Sequence, residues 1–293
     1  MPVLSQKTTA ILLMITAIFF FSTMDALAKH LATRIGTMPT LWARYLGQTL
    51  VVFILVLPRL RSVLRTRYPR LQLARSVYLM CATVFFFFGI SNIGLAQAAA
   101  IMSTNPLFIT IGAAVFLGEV FGLRRAMAIG AACIGAALVI RPGADVFTPY
   151  SLLPLAAAVC YSAYTLTTRF VGKDEDAWTS LFYTALFGAV ILSAAVPFFW
   201  QPLDGHDLLV MLAIAICGTT GQLALIRALM QGEAAMLAPF AYFGLIFATT
   251  YGALIFNDFP DALTILGGVI IAGAGIYVWY RETIVKPVQT GDD

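Results

Sequence analysis

Charge is what this chain has least of. Across 293 residues there are 14 Asp and Glu, 18 Lys and Arg, and two histidines, His30 and His206. Charged side chains therefore make up 11% of the chain, where a soluble domain carries roughly a quarter. With 60% hydrophobic residues and a mean hydropathy of +0.90, that deficit excludes a water-soluble globule and implies a membrane protein. Cysteine is scarce too. Cys81, Cys133, Cys160 and Cys217 sit inside apolar runs with no CxxC spacing and no neighbouring histidine, so they form neither a zinc site nor a disulfide framework. Two histidines leave little for a metal centre or a catalytic triad, and no metal or cofactor is expected. A Walker motif is also lacking, so ATP has no phosphate-binding loop.

What is present instead is a series of long apolar runs. A helix needs about 20 apolar residues to cross the hydrocarbon core. Ten runs meet that length, at about 8–29, 38–57, 76–95, 98–118, 123–140, 150–169, 178–200, 208–229, 235–256 and 260–280. Lys7, the apolar stretch after it and Ala26-Leu27-Ala28 imitate a signal peptide. The length of the stretch, Asp25 just before the cleavage-like site and a later copy of the segment favour a true span. The expected fold is an all-α bundle of ten transmembrane helices.

Basic residues orient it. With the N-terminus cytoplasmic, fourteen Lys and Arg fall on inside segments, three (Lys29, Arg34 and Arg141) fall outside, and Arg44 lies within a span. Both termini are then cytoplasmic. The run Arg59 to Arg75 reads as a topology anchor touching anionic lipid rather than as a nucleic-acid site.

The chain also repeats itself. Shifted by 140 residues, LLMITAIFFFSTMDALAKHLA lies over LLPLAAAVCYSAYTLTTRFVG, which puts Leu12 on Leu152, Ser22 on Ser162 and Lys29 on Arg169. At a shift of 138, Gly130 and Gly135 fall on Gly268 and Gly273. Five spans per copy, an odd number, make the second copy cross in the opposite sense. Inverted repeats recur in secondary transporters, whose site lies near the midplane between the halves. The expected units are 8–141, 150–281 and a cytoplasmic tail at 282–293.

NPLFITIGAAVFLGEVFGLRRAMAIGAACIGAALVIRPG (105–143) and APFAYFGLIFATTYGALIFNDFPDALTILGGVIIAGAGIYVWYRE (238–282) resemble the paired signature of the drug/metabolite transporter superfamily, EamA type. The resemblance covers essentially the whole chain and implies a ten-helix inner-membrane carrier without an ATPase domain. APFAYF and FNDFPD are similar to the subgroup holding S-adenosylmethionine and riboflavin uptake carriers. One position departs from the pattern: the helix-end Glu119 of the first copy aligns with Asn257, followed by Asp258, in the second.

Candidate site residues follow from polar positions inside the spans. Ser22, Asp25 and Lys29 share one helix face, and their repeat mates Ser162, Thr165 and Arg169 mark the same face of span six. Asp25 lies about four residues, roughly 6 Å, from the outer end of its span. Arg44 reaches similar depth, so an Asp25–Arg44 pair is expected with Lys29 nearer water. Three roles stay open for that pair: fixing spans one and two, binding or gating a charged substrate group, and proton coupling through Asp25. Further candidates are Asn92 beside Ser91, Thr104 and Asn105 in Ser103-Thr104-Asn105-Pro106, Tyr161 and Tyr164, and Thr219 and Gln222 in span eight. Pro106 and Pro239 would interrupt spans four and nine, either around a cavity or as packing features. Glu119 with Arg124 and Arg125 reads as a helix-end salt-bridge cluster. Ala126 with Gly130, and Gly268 with Ala272, offer smooth faces for contact within the bundle or in a homodimer.

The expected function is a gradient-driven carrier of a small organic metabolite, first for uptake of a vitamin or nucleoside-like compound such as riboflavin or S-adenosylmethionine. Export of amino acids or toxic amphiphiles is the alternative. An intramembrane enzyme lacks its clustered nucleophile, base or metal ligands, and a channel lacks charge rings or a carbonyl filter.

Overall fold

Backbone amides in a hydrocarbon layer have no water to bond, so each apolar run closes its hydrogen bonds within itself as a helix. The computed structural model describes residues 6–117, 123–141, 148–171, 174–232 and 237–280, and every regular element among them is helical. In chain order the first copy supplies α1 (Gln6–Ile35), α2 (Thr37–Val56), the short α3 (Leu60–Val63), α4 (Pro69–Asn92), α5 (Leu95–Met102), α6 (Asn105–Leu117) and α7 (Leu123–Ile140). The second supplies α8 (Leu152–Val171), α9 (Ala177–Ala195), α10 (Gly205–Gln231), α11 (Phe243–Phe256) and α12 (Ala262–Tyr280). Among the described residues, Lys7–Ile35, Thr37–Val63, Pro69–Asn92, Ala177–Phe199 and Gly205–Gln231 are long and apolar enough to cross a membrane. Leu95–Ile109, Met127–Ile140, Phe240–Phe256 and Ala262–Tyr277 are apolar but shorter. Large apolar side chains cover the outside, with Phe198 85% and Leu254 79% exposed. Such a surface belongs in lipid, and the chain is an all-α, multi-pass membrane protein.

Two expected spans are interrupted. α5 stops at Met102, Ser103 and Thr104 turn, and α6 restarts at Asn105 with Pro106 in its first turn. The Thr104 hydroxyl and amide both donate to the Ile101 carbonyl, at 2.8 and 3.1 Å. Before α11 the chain runs as a 3-10 turn over Ala238–Tyr242. Thr104 and Tyr242 are 138 residues apart, the offset that relates the copies. A proline bars the regular amide ladder at each place.

Packing obeys an exchange of the copies. α1 lies on α10 and α8 on α4; α2 lies on α10 and α9 on α4; α1 meets α11 and α8 meets α6. The pairs α2 with α9 and α7 with α12 map onto themselves under the same exchange. Two of these seams need glycine. A Cβ at Gly188 would stand 2.1 Å from the Tyr45 ring, so α9 meets α2 only without a side chain there. Gly135 and Gly267 face each other, and a Cβ on either would lie 2.8 or 2.6 Å from the other's carbonyl oxygen. The close α7–α12 contact thus uses Gly135 and Gly267, while Gly130 and Gly273 have nothing within 4 Å.

Glu119, Lys173, Arg281, Lys286 and the 282–293 tail lie outside the described residues, as do the side chains of Arg124, Arg125, Ala126, Arg169 and Pro239.

Candidate functional site

α1 is longer than its apolar run, continuing to Ile35. Asp25 therefore sits ten residues from the helix end, about 15 Å at 1.5 Å per residue, deeper than the 6 Å read from the sequence. Asp25 and Arg44 of α2 attract each other across the interior. They do not touch: no Asp25 oxygen comes within 4.0 Å of an Arg44 nitrogen, so the expected contact pair is absent. Arg44 is 5% exposed, none of its N–H groups bonds an acceptor among the described residues, and its Nε is sealed from solvent. The guanidinium packs against the Tyr45 and Phe87 rings, 5.4 Å from each centroid. A desolvated cation–π contact returns about 2 kcal/mol, whereas removing water from an ion costs several kcal/mol and leaving it unpaired about 3–5 kcal/mol. The rings do not close that gap. Arg44 is a buried cation with no carboxylate in contact among the described residues.

Aromatic and amide groups of the second copy stand beside it. Tyr161 of α8 lies in the fields of both Arg44 and Asp25, and its ring tilts against Tyr164 at 5.7 Å. The Tyr164 hydroxyl accepts from Gln222 Nε2 of α10 and, at 3.0 Å, from Arg75 of α4. Gln222 Oε1 is buried without a donor. Arg75 also donates to Thr168 (2.6 Å), Gln72 (3.2 Å) and the Ser180 carbonyl (2.8 Å). It is fully buried, so its assignment to a lipid-touching anchor is corrected: four acceptors from three helices hold it inward. Arg59 keeps an outer position and, with Arg227, brackets the Trp178 ring at 5.2 and 5.8 Å.

The other candidates divide. Ser162 Oγ lies against the side-chain oxygen of Asn105 and 3.1 Å from its carbonyl, tying α8 to the break before α6. Ser22, its repeat mate, is buried and makes no side-chain hydrogen bond among the described residues. Thr165 donates back to Tyr161 O and Thr104 to Ile101 O, so both hydroxyls are spent on their own backbone. Thr219 donates to Ala215 O and lines a groove of about 290 Å³ between α1, α2 and α10, with Leu13, Leu55 and Arg227. Asn92 is exposed at the end of α4 and bonds Phe88 O. Thr219 and Asn92 thus spend a side-chain donor on their own helices.

A second polar layer closes the end of the bundle that carries Lys29. Lys29 Nζ lies 3.7 Å from Asp258 and donates to the Ile93 carbonyl at 2.9 Å. Asp258 also accepts from the Leu95 amide at 2.9 Å, which caps α5. Its placement explains Asn257, which ends α11 in the left-handed region at φ 50°. Asparagine is one of the residues that enters that backbone most readily, which suits it to this helix end. Arg34 donates to Asp207 at 2.7 Å and Asp204 at 2.5 Å, and these acids form the capping box of α10. Arg141, itself at φ 53°, pairs with Asp261, the loop residue whose carboxylate caps α12 through the Thr264 amide at 2.9 Å. All three basic residues counted as outside thus meet acids of the second copy. Asp258 and Asp261 stood in FNDFPD, but nothing local to that stretch announced partners more than a hundred residues away.

Asp204, His206 and Asp207 hold ligand atoms within 4.8 Å of one another, close enough for a metal ion. Arg34 pairs with both carboxylates and offsets one of their two charges, and both also serve the capping box of α10.

A lipid-faced helical bundle with interrupted helices and an unsatisfied ion in its interior defines a membrane transporter of small molecules. The chain belongs to the EamA-like transporter family, whose pattern matches residues 8–141 and again 148–280. It is 29% identical over 279 residues to the pseudopaline exporter of Pseudomonas aeruginosa, covering 94% of this chain and 97% of that one. It is 26% identical to the S-adenosylmethionine uptake transporter of Rickettsia bellii (88% and 89% covered) and 27% identical to the riboflavin transporter of Vibrio cholerae (92% and 92%). A solved crystal structure, 20% identical, superposes with a TM-score of 0.67 over 92% of this chain and 96% of the other, a likeness of fold. The named relatives are transporters, and this chain is a transporter rather than an enzyme.

Proposed function

We propose that the protein is a secondary transporter of the bacterial inner membrane, built as two inverted five-helix repeats with both termini in the cytoplasm. It moves a small organic metabolite by alternating access, and Asp25 and Arg44 stand in the transport path. The observation that carries this reading is Arg44, buried, without an acceptor among the described residues and within the field of an Asp25 it does not touch. A purely structural pair would be closed. The exchange symmetry of the helix packing and the two interruptions at equal offset support the repeat architecture. Uptake of a nucleoside-like or vitamin compound is the first reading, supported by the S-adenosylmethionine and riboflavin transporters. Export is the second, favoured by the pseudopaline exporter, which matches more of the chain than the S-adenosylmethionine transporters do.

Counterflow in proteoliposomes tests it. Wild-type protein should exchange a preloaded solute saturably, and Asp25→Asn and Arg44→Gln should lower the initial rate at least about tenfold, the effect of losing one charge-assisted hydrogen bond. Normal exchange by both folded variants would return the two residues to packing.

A further inference from the structure

We infer that the groove between α1, α2 and α10 holds one acyl chain of an anionic phospholipid, whose phosphate lies between Arg59 and Arg227. The site stands apart from Asp25 and Arg44 and goes beyond the carrier reading.

Two observations converge on it. The first is a basic cluster without a counterion. The guanidinium carbons of Arg59 and Arg227 lie 5.2 and 5.8 Å from the centroid of the Trp178 ring. Both arginines are exposed, and neither forms an ion pair among the described residues. The indole N–H of the half-buried Trp178 likewise bonds no described acceptor. Acids adjoin Trp178 in the chain, but Glu175 is taken up by Thr66, the Arg67 amide and Gln72, and Asp174 by Tyr68. Asp176 forms no ion pair with either arginine. An indole face attracts each cation yet leaves its charge in place, and phosphate is an anion whose oxygens match the guanidinium fork.

The second observation is the groove itself. Along α10 it runs from Ile216 to Arg227, eleven residues or about 16 Å at 1.5 Å per residue. One leaflet supplies about 15 Å of a hydrocarbon core roughly 30 Å thick. Leu13, Val51, Leu55 and Leu223 give the groove apolar walls. Leu55 is 54% and Ile216 48% exposed, so it opens on the lipid side. Leu223 lines it and, like Trp178, packs on the apolar cluster of Val52, Val56 and Ile226, which makes groove and basic cluster continuous. A soluble anion would leave the groove unfilled, and a zwitterionic phospholipid would bring an ammonium toward two arginines. A phospholipid of net negative charge suits both ends, as basic sites between helices do for such heads. Arg59, α1 and α2 belong to the first copy and Arg227 and Trp178 to the second, so the lipid lies across the two copies.

Quenching of Trp178 fluorescence by lipids brominated on their acyl chains tests the site. The full chain carries Trp42→Phe, Trp200→Phe and Trp279→Phe, so that Trp178 reports alone. This parent protein is placed in phosphatidylcholine nanodiscs with rising fractions of brominated phosphatidylglycerol or brominated phosphatidylcholine. Phosphatidylglycerol should reach half-maximal quenching at a mole fraction at least about tenfold lower, and Arg59→Gln or Arg227→Gln should each shrink that ratio about fivefold, as loss of one basic contact with anionic lipid requires. Thr16→Phe, which fills the groove from its deep end, should raise the fraction of phosphatidylglycerol needed. Soluble glycerol 3-phosphate should leave the quenching unchanged. Both arginines are exposed, so their variants should keep the fold, and each ratio is taken within one variant. A parent ratio near one overturns the site. A ratio unchanged in both arginine variants assigns the preference to the rest of the basic run and overturns it as well. Quenching untouched by Thr16→Phe puts the chain outside the groove, and quenching relieved by glycerol 3-phosphate marks a site for a free anion; either result overturns the lipid assignment.

Discussion

Arg44 and Arg75 show two ways of burying a guanidinium. Arg75 hands its protons to Thr168, Gln72, Ser180 and Tyr164, so its charge is shared among dipoles and fixed in place. Replacing Arg75 with Met should cost about 2–4 kcal/mol, since it strands several buried acceptors. Unfolding in mixed micelles would measure this. Arg75→Lys should recover only part, because one ammonium cannot reproduce the fork that spans those four acceptors. Sequence alone placed Arg75 in the basic run with Arg59 to Arg70, since the charges of a loop can be counted but the one that turns inward cannot. Asp25, Arg44, Tyr161, Tyr164 and Gln222 were legible because polar groups in apolar runs stand out; the gap between Asp25 and Arg44 was not, because it depends on how far α1 and α2 diverge.

At the scale of elements, the interruptions in the fourth and ninth runs were readable from Pro106 and Pro239, whose rings have no amide to give. The form of each break was not, since a turn at Ser103–Thr104 and a 3-10 segment at Ala238–Tyr242 depend on what packs beside them. The end of α11 gives a sharper case. Asn257 in the left-handed region directs Asp258 to the amide end of α5 and to Lys29. Asn257→Gly should leave thermal stability nearly unchanged, whereas Asn257→Val should lower it by about 1–2 kcal/mol, the penalty of that backbone for a residue with a branched Cβ. Melting curves of the detergent-solubilised variants would show the difference.

Across the whole molecule, apolar run length made the helices legible, whereas their pairing, α1 with α10 and α4 with α8, is a long-range property that no local pattern encodes. The ionic layer at the Lys29 end is where that pairing acquires a measurable signature. Arg141 holds the Asp261 carboxyl down at about 2, with the Thr264 side chain and amide adding to the effect. A depressed carboxylate stabilises the fold fully above its unfolded value of about 4 and loses that contribution as pH falls toward 2. Wild-type melting temperature should therefore decline over that window, and Asp261→Asn should flatten part of the decline. Reversing one link, Lys29→Asp, should weaken the closed end, and Lys29→Asp with Asp258→Lys should recover only the charge-pair part, since neither new side chain replaces the bonds to Ile93 O and Leu95 N; the coupling between the two changes is the quantity to measure.

In each link the cation comes from the first copy and the acid from the second, and the whole chain is sorted the same way. Residues 1–147 contain 13 Lys and Arg against 3 Asp and Glu, while residues 148–293 contain 5 against 11. Two first copies placed together would repel, as would two second copies, whereas one of each attracts. Repulsion between like copies is a means of choosing a partner. A gene cut between residues 141 and 148 and expressed as two polypeptides should yield a one-to-one complex, recovered by tagging either fragment, with no self-association of the first.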